Sequence, residues 1–322
     1  MSEQSAMETP RRYPLIFNPK ARSEKSGRVL KLLMNHAHRF AMHATSHAGE
    51  ARDLAARFAA QGEPVVIAAG GDGTLNEVVG GLAGSSTVLG ILPVGTMNVF
   101  AREIGIPLDS LEHALAVIEH GCVREVDLFA ANGTPFVQMA GVGFDAAAIE
   151  ATTWKSKKML GPLAYLLGAV KVLRQPLPQL EVICADGRHA QGVAVLVGNG
   201  SLYGGQFKLF GQAHNRDSKL DVVVFKEIGY RMLLESLRGL ARGEIGTLDS
   251  ACTFQSADFT VHADHDVPVE VDGEWLGRFA AVRFVETVHH LRVIAPANPP
   301  AGNRKSILPW RRRPEPIISN NP

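Results

Sequence analysis

The 322-residue sequence has few cysteines, few aromatic residues and no long apolar run. Cys122, Cys184 and Cys252 are odd in number and far apart, which fits neither a disulfide framework nor CxxC zinc spacing. Aromatic residues make up 7% of the chain and are not interleaved with basic residues, so no nucleic-acid platform is expected. No window approaches the ~18 apolar residues of a spanning helix, and the polar N-terminus lacks a signal-peptide core. We therefore expect a cytoplasmic protein that meets a membrane only from the side.

The charges nearly cancel, with 33 Lys plus Arg against 32 Asp plus Glu and a formal net charge of +1. No overall field therefore attracts nucleic acid or an anionic surface, and any such contact must be local. The hydrophobic content of 46% in a chain of this length is enough for two domains, each with its own core.

The hydrophobic periodicity changes near residue 130. Before it, short buried runs such as PVVIAAG alternate with helical patterns, which predicts a parallel α/β domain over residues 10–130. After it, segments alternate in twos and turn at Asp-Gly pairs, which predicts a mostly antiparallel β domain over residues 131–298. Residues 299–322, rich in Pro, Arg and Asn, are predicted to be a disordered basic tail.

The stretch VVIAAGGDGTLNEVVGGL, residues 65–82, reads as a strand, a glycine turn and a helix. Gly70, Gly71 and Gly73 supply the turn, and Thr74 is placed to cap the helix or to donate a hydrogen bond. Backbone N–H groups at such a turn suit a phosphate. The turn has neither the Lys-Ser/Thr of a Walker A loop nor GxGxxG spacing.

Asp72 lies inside this turn, where its carboxylate would repel a phosphate unless a cation stood between them. One interpretation is that Asp72 acts through Mg²⁺ or its water shell. The other is that Asp72 only caps the following helix.

Two further loops favour phosphate binding. The segment LPVGTMNVFARE repeats the pattern of strand, turn with Thr96, and helix beginning near Asn98. The loop after the first predicted strand carries Asn18, Lys20 and Arg22, which are donors suited to a polyphosphate.

Several motifs occur together in an order that resembles a known family. They are FNPKARSEKSG, GGDGTLNEVVGGL, LPVGTMNVFAREIGIP, VDL, GVGFDA, VLVGNGSLYGGQFKL and VPVEVDGEWLG. Their order and spacing over residues 13–298 are similar to the diacylglycerol kinase catalytic-domain family, soluble bacterial lipid kinases related to sphingosine and ceramide kinases. The resemblance implies an N-terminal domain like that of NAD kinases and phosphofructokinases, and a lipid kinase that uses ATP and Mg²⁺. It also implies a lipid substrate and a peripheral contact with a membrane surface.

The resemblance also implies roles for particular residues. Glu274 would be the general base toward the lipid hydroxyl, although the pattern alone also fits a plain hairpin tip. Asp217 would be the side-chain ligand of a structural Mg²⁺, with the backbone carbonyls of His214 and Lys219 beside it. The residues implied to hold ATP are Asn18, Lys20, Arg22, Thr45, Gly70, Gly71, Asp72, Gly73, Thr74, Leu75, Asn76 and Thr96.

Two positions depart from the family pattern. Val99 stands where many members have an Asp of the metal-water network, and the segment before Asp217 lacks the usual Pro and Asp-Gly pair. These departures keep open a catalytically idle regulatory protein that binds lipid or nucleotide. The GGDGT turn keeps open a second alternative, an NAD or sugar-phosphate kinase with the same turn. The sequence does not name the lipid.

Three other features have competing interpretations. The apolar stretch over residues 159–173 has basic residues near both ends, which fits an interfacial contact with anionic lipid or a buried domain helix. The histidines over residues 36–47 and 262–265 lack zinc-site spacing and are expected to be surface residues. An exposed strand edge in the second domain would allow a homodimer.

Overall fold

A computed structural model describes residues 12–19, 31, 34–144, 146–147, 176–205, 207–229 and 251–297. These residues form a six-stranded and a ten-stranded β-sheet with separate hydrophobic cores, a two-stranded hairpin, and four helices whose bounds are fully described. Lys20, Arg22, the apolar stretch over residues 159–173 and the predicted tail lie outside the described residues. Within the described ranges, no helix is both long enough and apolar enough to cross a membrane.

The first sheet has six strands. They are β1 (Tyr13–Phe17), β2 (Phe40–Ala44), β3 (Val65–Gly70), β4 (Val88–Pro93), β5 (Cys122–Val126) and β18 (Leu291–Ala295). Their order is β2-β1-β3-β4-β18-β5, and every pair is parallel except β18 with β5. The predicted parallel α/β domain is confirmed, with one antiparallel strand at its edge.

The helices of this domain are α1 (Glu50–Ala60), α2 (Asp72–Leu82), α3 (Val99–Glu103) and α4 (Leu111–His120). Every residue of β3 and β4 is buried, as expected for parallel strands covered on both faces. Helix α2 buries Leu75, Val78, Val79 and Leu82, which is the spacing of one helical face. The strand and helix that flank the glycine turn are therefore fixed by the core.

The second sheet has ten strands, and all its pairs are antiparallel. The path runs β15-β14-β11-β8-β16-β17-β6-β7, with β9 joined to β16 and to β10. A separate hairpin joins β12 and β13. The strands are β6 (Phe129–Ala131), β7 (Thr134–Phe136), β8 (Met139–Gly143), β9 (Leu180–Cys184), β10 (His189–Gly192), β11 (Ala194–Gly198), β12 (Leu202–Tyr203), β13 (Phe207–Lys208), β14 (Leu220–Phe225), β15 (Ala251–Ser256), β16 (Asp258–Val271) and β17 (Glu274–Glu286).

The chain crosses between the two sheets twice, between β5 and β6 and between β17 and β18. Strand β6 begins just before the predicted boundary at 130, and β18 lies in the range predicted for the second domain but joins the first sheet. The apolar pattern of β18 predicts a buried strand without specifying its sheet. The β-rich domain is thus inserted between β5 and the last strand of the α/β domain.

Candidate functional site

The predicted ligand-binding loops meet at one edge of the first sheet. Asn18 follows β1 directly and Thr45 follows β2, while the two glycine turns follow β3 and β4. These four strands are parallel, so their carboxyl ends lie at the same edge. In open α/β sheets, this edge is where ligands bind.

The two glycine turns pack backbone against backbone. A Cβ atom placed on Gly95 would lie 2.5 Å from the Cα of Gly71, and one placed on Gly71 would lie 3.2 Å from the Cα of Gly95. The N–H groups of Val94 and Gly95 donate to the carbonyl of Gly70 at 2.8 and 3.3 Å. Glycine is therefore required at position 95 because no side chain fits between the turns.

Replacing Gly95 with Ala is expected to lower the free energy of unfolding by about 1–3 kcal/mol, because the new methyl group overlaps a backbone that cannot move cheaply. The change can be measured by urea unfolding followed by circular dichroism. Gly211→Ala is the matched control, since nothing lies within 4 Å of a Cβ at that position. Equal stability of the two variants would contradict the close approach of the turns.

Asp72 connects the first turn to the second. Its Oδ2 accepts a hydrogen bond from the N–H of Asn98 at 2.9 Å, and its Oδ1 accepts one from the N–H of Val99 at 2.7 Å. The Asn98 side chain closes the same turn through two hydrogen bonds with the Gly95 backbone. Asp72 begins α2 but holds the start of α3, which is an interaction that neither interpretation of the sequence included.

Burial raises the pKa of Asp72, against the two N–H donors, which act to lower it. A carboxylate offers about four lone-pair sites, so two remain for a cation or a water molecule. The departure at Val99 leaves the bond to Asp72 intact, because this bond uses a backbone N–H.

A cleft of about 850 Å³ is lined by residues of both domains, and of residues 70–73 in the glycine turn only Gly73 lines it. Of the predicted site residues, it is lined by Asn18, Thr45, Gly73, Thr74, Asn76 and Glu274. Its other polar lining includes Ser46, His47, Arg52, Glu77, Thr134 and Asp272. The cleft therefore brings the predicted base together with the predicted phosphate turn.

Glu274 is the first residue of β17, and its side chain is exposed to the cleft. Its Oε1 lies 3.0 Å from the position that a Cβ on Gly73 would occupy, in the first turn of α2. The predicted base thus faces the helix N-terminus, where backbone N–H groups favour negative charge. For Glu274 to lie this close to Gly73, the two domains must be in contact.

Asp272 makes that contact. Its Oδ1 accepts hydrogen bonds from the N–H groups of Gln138 and Met139, and its Oδ2 accepts one from Val137, all at 2.9 Å. Its carbonyl accepts a hydrogen bond from Nδ2 of Asn76 on α2 at 3.1 Å. With φ at 50°, Asp272 forms the hairpin tip that presents Glu274.

Glu103 supplies a second link between the domains. Its carboxylate accepts hydrogen bonds from Ser201 Oγ at 3.0 Å, the Leu202 N–H at 2.9 Å and Gln138 Nε2 at 3.1 Å. Because the backbone of Gln138 also donates to Asp272, the contacts form a closed ring. The ring passes through Asp72, α3, Glu103, Gln138, Asp272, Asn76 and α2.

Burial raises the pKa of Asp272 from 3.8 to about 6; its three N–H donors act to lower the pKa, and the nearby charge of Asp72 raises it. Between these pH values the folded protein binds the proton that the unfolded chain has released. The contribution of Asp272 to stability is therefore full below pH 3.8 and declines as pH rises through 6.

We expect the free energy of unfolding of the wild type minus that of Asp272→Asn to fall between pH 4 and pH 7. The decline should be on the order of 3 kcal/mol, because each pKa unit corresponds to about 1.4 kcal/mol. Urea unfolding at four pH values measures it. A difference that rises with pH would mean that the N–H donors outweigh burial.

The remaining predicted nucleotide residues have varied surroundings. Thr45 is buried at the cleft wall, and its N–H donates to the carbonyl of Phe17 at 2.9 Å. The Leu75 side chain belongs to the core, and its N–H donates to Gly71 within the helix. Thr96 is exposed on the second turn, outside the cleft lining.

The predicted structural metal residues lie on a loop of the second domain. Oδ1 of Asp217 accepts the Lys219 N–H at 3.2 Å, and the carbonyl of His214 accepts the N–H groups of Arg216 and Asp217. Burial raises the pKa of Asp217, and the charge of Asp127 raises it further. The Asp217 carboxylate suits a hard cation, whereas the two lone pairs of the His214 carbonyl are already used.

Asp127 connects this loop to a second acidic group. Its Oδ2 accepts the Ser218 N–H at 2.7 Å, and its Oδ1 lies 3.3 Å from Nδ1 of His290. Glu286 completes a group whose ligand atoms lie within 4.8 Å of one another. Sequence reasoning did not identify Glu286 and His290, because their partner is 159 or more positions away along the chain.

Comparisons with known proteins identify the family of the chain. The chain matches the family model described as "Diacylglycerol kinase catalytic domain" over residues 12–131 and the model described as "YegS C-terminal NAD kinase beta sandwich-like domain" over residues 138–295. It is 31% identical over 294 residues to a diacylglycerol kinase of Bacillus subtilis (strain 168), covering 89% of this chain and 97% of the relative. It is also 31% identical to a diacylglycerol kinase of Staphylococcus saprophyticus subsp. saprophyticus, covering 89% of this chain and 96% of that relative.

A solved structure is also similar to this chain. A provisionally named diacylglycerol kinase from Bacillus anthracis str. Sterne superposes with a TM-score of 0.71 at 25% identity, covering 88% of this chain and 96% of that chain. The match extends through both domains, as the resemblance of the motifs predicts. The chain belongs to the diacylglycerol kinase catalytic-domain family and is a lipid kinase.

Proposed function

We propose that the protein transfers the γ-phosphoryl group of ATP to the hydroxyl of a lipid such as a diacylglycerol or a sphingoid base, at a membrane surface that it contacts peripherally. The observation that carries this proposal is the position of Glu274 beside Gly73. One cleft thereby combines a carboxylate that can accept a proton with a phosphate-binding turn.

In this proposal the nucleotide phosphates bind at the glycine turn and the N-terminus of α2, where backbone N–H groups and the helix dipole favour their charge. Asn18 and Thr45 extend the binding surface along the sheet edge. Phosphoryl transfer depends mainly on positioning and on charge stabilisation, so a rigid pair of packed turns suits the reaction.

Glu274 takes the proton of the attacking lipid hydroxyl. The oxygen of that hydroxyl forms a bond to the γ-phosphorus while the bond from the γ-phosphorus to the β,γ-bridging oxygen breaks, leaving ADP and a phosphorylated lipid. A general base must lie within hydrogen-bonding reach of the proton that it removes. The Glu274 side chain is exposed in the cleft lining, so an acceptor can reach it from outside the protein.

Asp72 and the nucleotide phosphates would together hold Mg²⁺, because the carboxylate has lone pairs left after its two N–H bonds. When bound, the ion offsets the negative charge that ATP brings into the cleft. The Asp217 carboxylate is the proposed side-chain ligand of a separate structural Mg²⁺.

The test is transfer of labelled γ-phosphate from ATP with Mg²⁺ to lipids in detergent mixed micelles. The panel contains diacylglycerol, monoacylglycerol, sphingosine, ceramide and phosphatidylglycerol, with NAD as a separate soluble acceptor. We expect label on at least one lipid and none on NAD. Label on NAD alone would identify a nucleotide kinase, and ATP binding without transfer to any acceptor would identify a non-catalytic protein.

A further inference from the structure

Trp275 is an exposed tryptophan directly after the proposed base. Its relative exposure is 53%, although tryptophan side chains are usually well covered in folded proteins. The other large hydrophobic side chains exposed in the described part of the chain are Met34, Met42, Met97, Ile183 and Val288. Of these six, Trp275 alone lines the cleft. Trp275 is therefore exposed within the cleft that holds the proposed base.

The side chains of Glu274 and Trp275 leave β17 on opposite faces, because successive residues of a strand alternate. Glu274 lies opposite Val271 and faces the glycine turn, as its approach to Gly73 shows. Trp275 lies opposite Glu270, on the other face. Trp275 therefore lies on the face of β17 opposite to Glu274, and both residues line the cleft.

Trp275 is the exposed end of a row of otherwise buried residues. Opposed residues of antiparallel strands share a face, and the row through the registers of five strands is Trp275, Glu270, Gly141, Leu196 and Val223. Leu196 and Val223 belong to a hydrophobic cluster. Glu270 is fully buried on β16, and its Oε2 accepts a hydrogen bond from the Gly273 N–H of the hairpin tip at 2.8 Å.

An indole ring combines a large apolar surface with one N–H donor, so tryptophan favours the boundary between hydrocarbon and water. The hydroxyl of a membrane lipid lies at that same boundary. Consecutive Cα atoms are about 3.8 Å apart, so a ring held at the boundary would hold the backbone of Glu274 close to it, within side-chain reach of the hydroxyl.

From these observations we infer that Trp275 inserts into the lipid surface and sets the depth at which Glu274 meets the acceptor. The partner is a lipid surface, and the inference rests on the proposed lipid-kinase function. Trp275 is a positioning residue in this role, since Glu274 takes the proton.

The first test uses fluorescence and requires no turnover. The sequence has three tryptophans, so Trp154→Phe/Trp310→Phe leaves Trp275 as the sole indole. Vesicles of phosphatidylglycerol and diacylglycerol with brominated acyl chains should quench its emission, whereas unbrominated vesicles should shift the emission to shorter wavelength. Binding without quenching, or no binding to vesicles, would overturn the inference, as would strong quenching by ATP alone.

The second test uses kinetics in mixed micelles. Trp275→Ala should raise the KM for lipid about tenfold while leaving the KM for ATP unchanged, and Trp275→Phe should restore part of the loss. Ile183→Ala, an exposed hydrophobic outside the cleft, is the matched control. An unchanged lipid KM in Trp275→Ala would overturn the inference, whereas a wild type without lipid phosphorylation would instead contradict the proposed function.

Discussion

Replacing Glu274 with Gln is expected to lower kcat by about 10²- to 10⁴-fold, the usual contribution of a general base. Gln has the same shape and retains a hydrogen-bonding oxygen, but it cannot accept the hydroxyl proton. The side chain is exposed and comes from the first residue of a strand, so the fold should be unaffected. Initial rates of lipid phosphorylation at saturating ATP measure the effect.

The KM for ATP should stay near the wild-type value in this variant, because Glu274 is proposed to act on the lipid hydroxyl. Glu125→Gln is the matched control, since Glu125 is exposed on β5 and does not line the cleft. Turnover near the wild-type rate in Glu274→Gln, with an unchanged melting temperature, would show that another group takes the proton.

The sequence was sufficient to predict the glycine turns because their signals are local. A fully apolar run, three glycines and a helical pattern follow one another within residues 65–82. They directly predict a buried strand, a turn and a helix. The same holds for the second turn at Gly95. Both turns follow parallel strands, so their meeting at one sheet edge follows from the α/β class alone.

The links between the domains could not be predicted in this way. Glu103 and Gln138 are 35 positions apart, and no hydrophobic period relates a helix end to a loop of another domain. Asp72 bonds to backbone N–H groups, which nearly every residue type supplies, so no sequence pattern identifies its partners. Strand β18 carries an apolar pattern that either sheet could have accepted.

The difference between local signals and long-range contacts also explains why the sequence alone does not show the structural consequence of Val99. The missing carboxylate suggested a weakened metal-water network. In the structure, residue 99 also contributes its N–H to Asp72, and that contribution does not depend on the side chain. The orientation of the two turns is therefore maintained, and the effect of Val99 is restricted to the acidic group that its side chain lacks.

Replacing Asp72 with Ala is expected to affect both stability and turnover. The N–H groups of Asn98 and Val99 lose their acceptor, and each partly buried donor left unsatisfied costs about 1–3 kcal/mol. The free energy of unfolding should fall by about 2–6 kcal/mol on this basis. Turnover should fall by about 10²- to 10³-fold, because the two turns lose their alignment and the proposed Mg²⁺, which would offset the negative charge of the transferring group, loses a carboxylate ligand.

Asp72→Asn separates the alignment of the turns from the binding of Mg²⁺. An Asn side chain can keep one of the two N–H bonds, so the stability loss should be about half that of the Ala variant. Its neutral amide is a weaker ligand for Mg²⁺ than a carboxylate, so the Mg²⁺ concentration for half-maximal activity should rise. Asp53→Asn on the exposed surface of α1 is the matched control. An unchanged Mg²⁺ requirement in Asp72→Asn would restrict Asp72 to holding the start of α3, and the cation would then have to be bound by the nucleotide and other residues of the cleft.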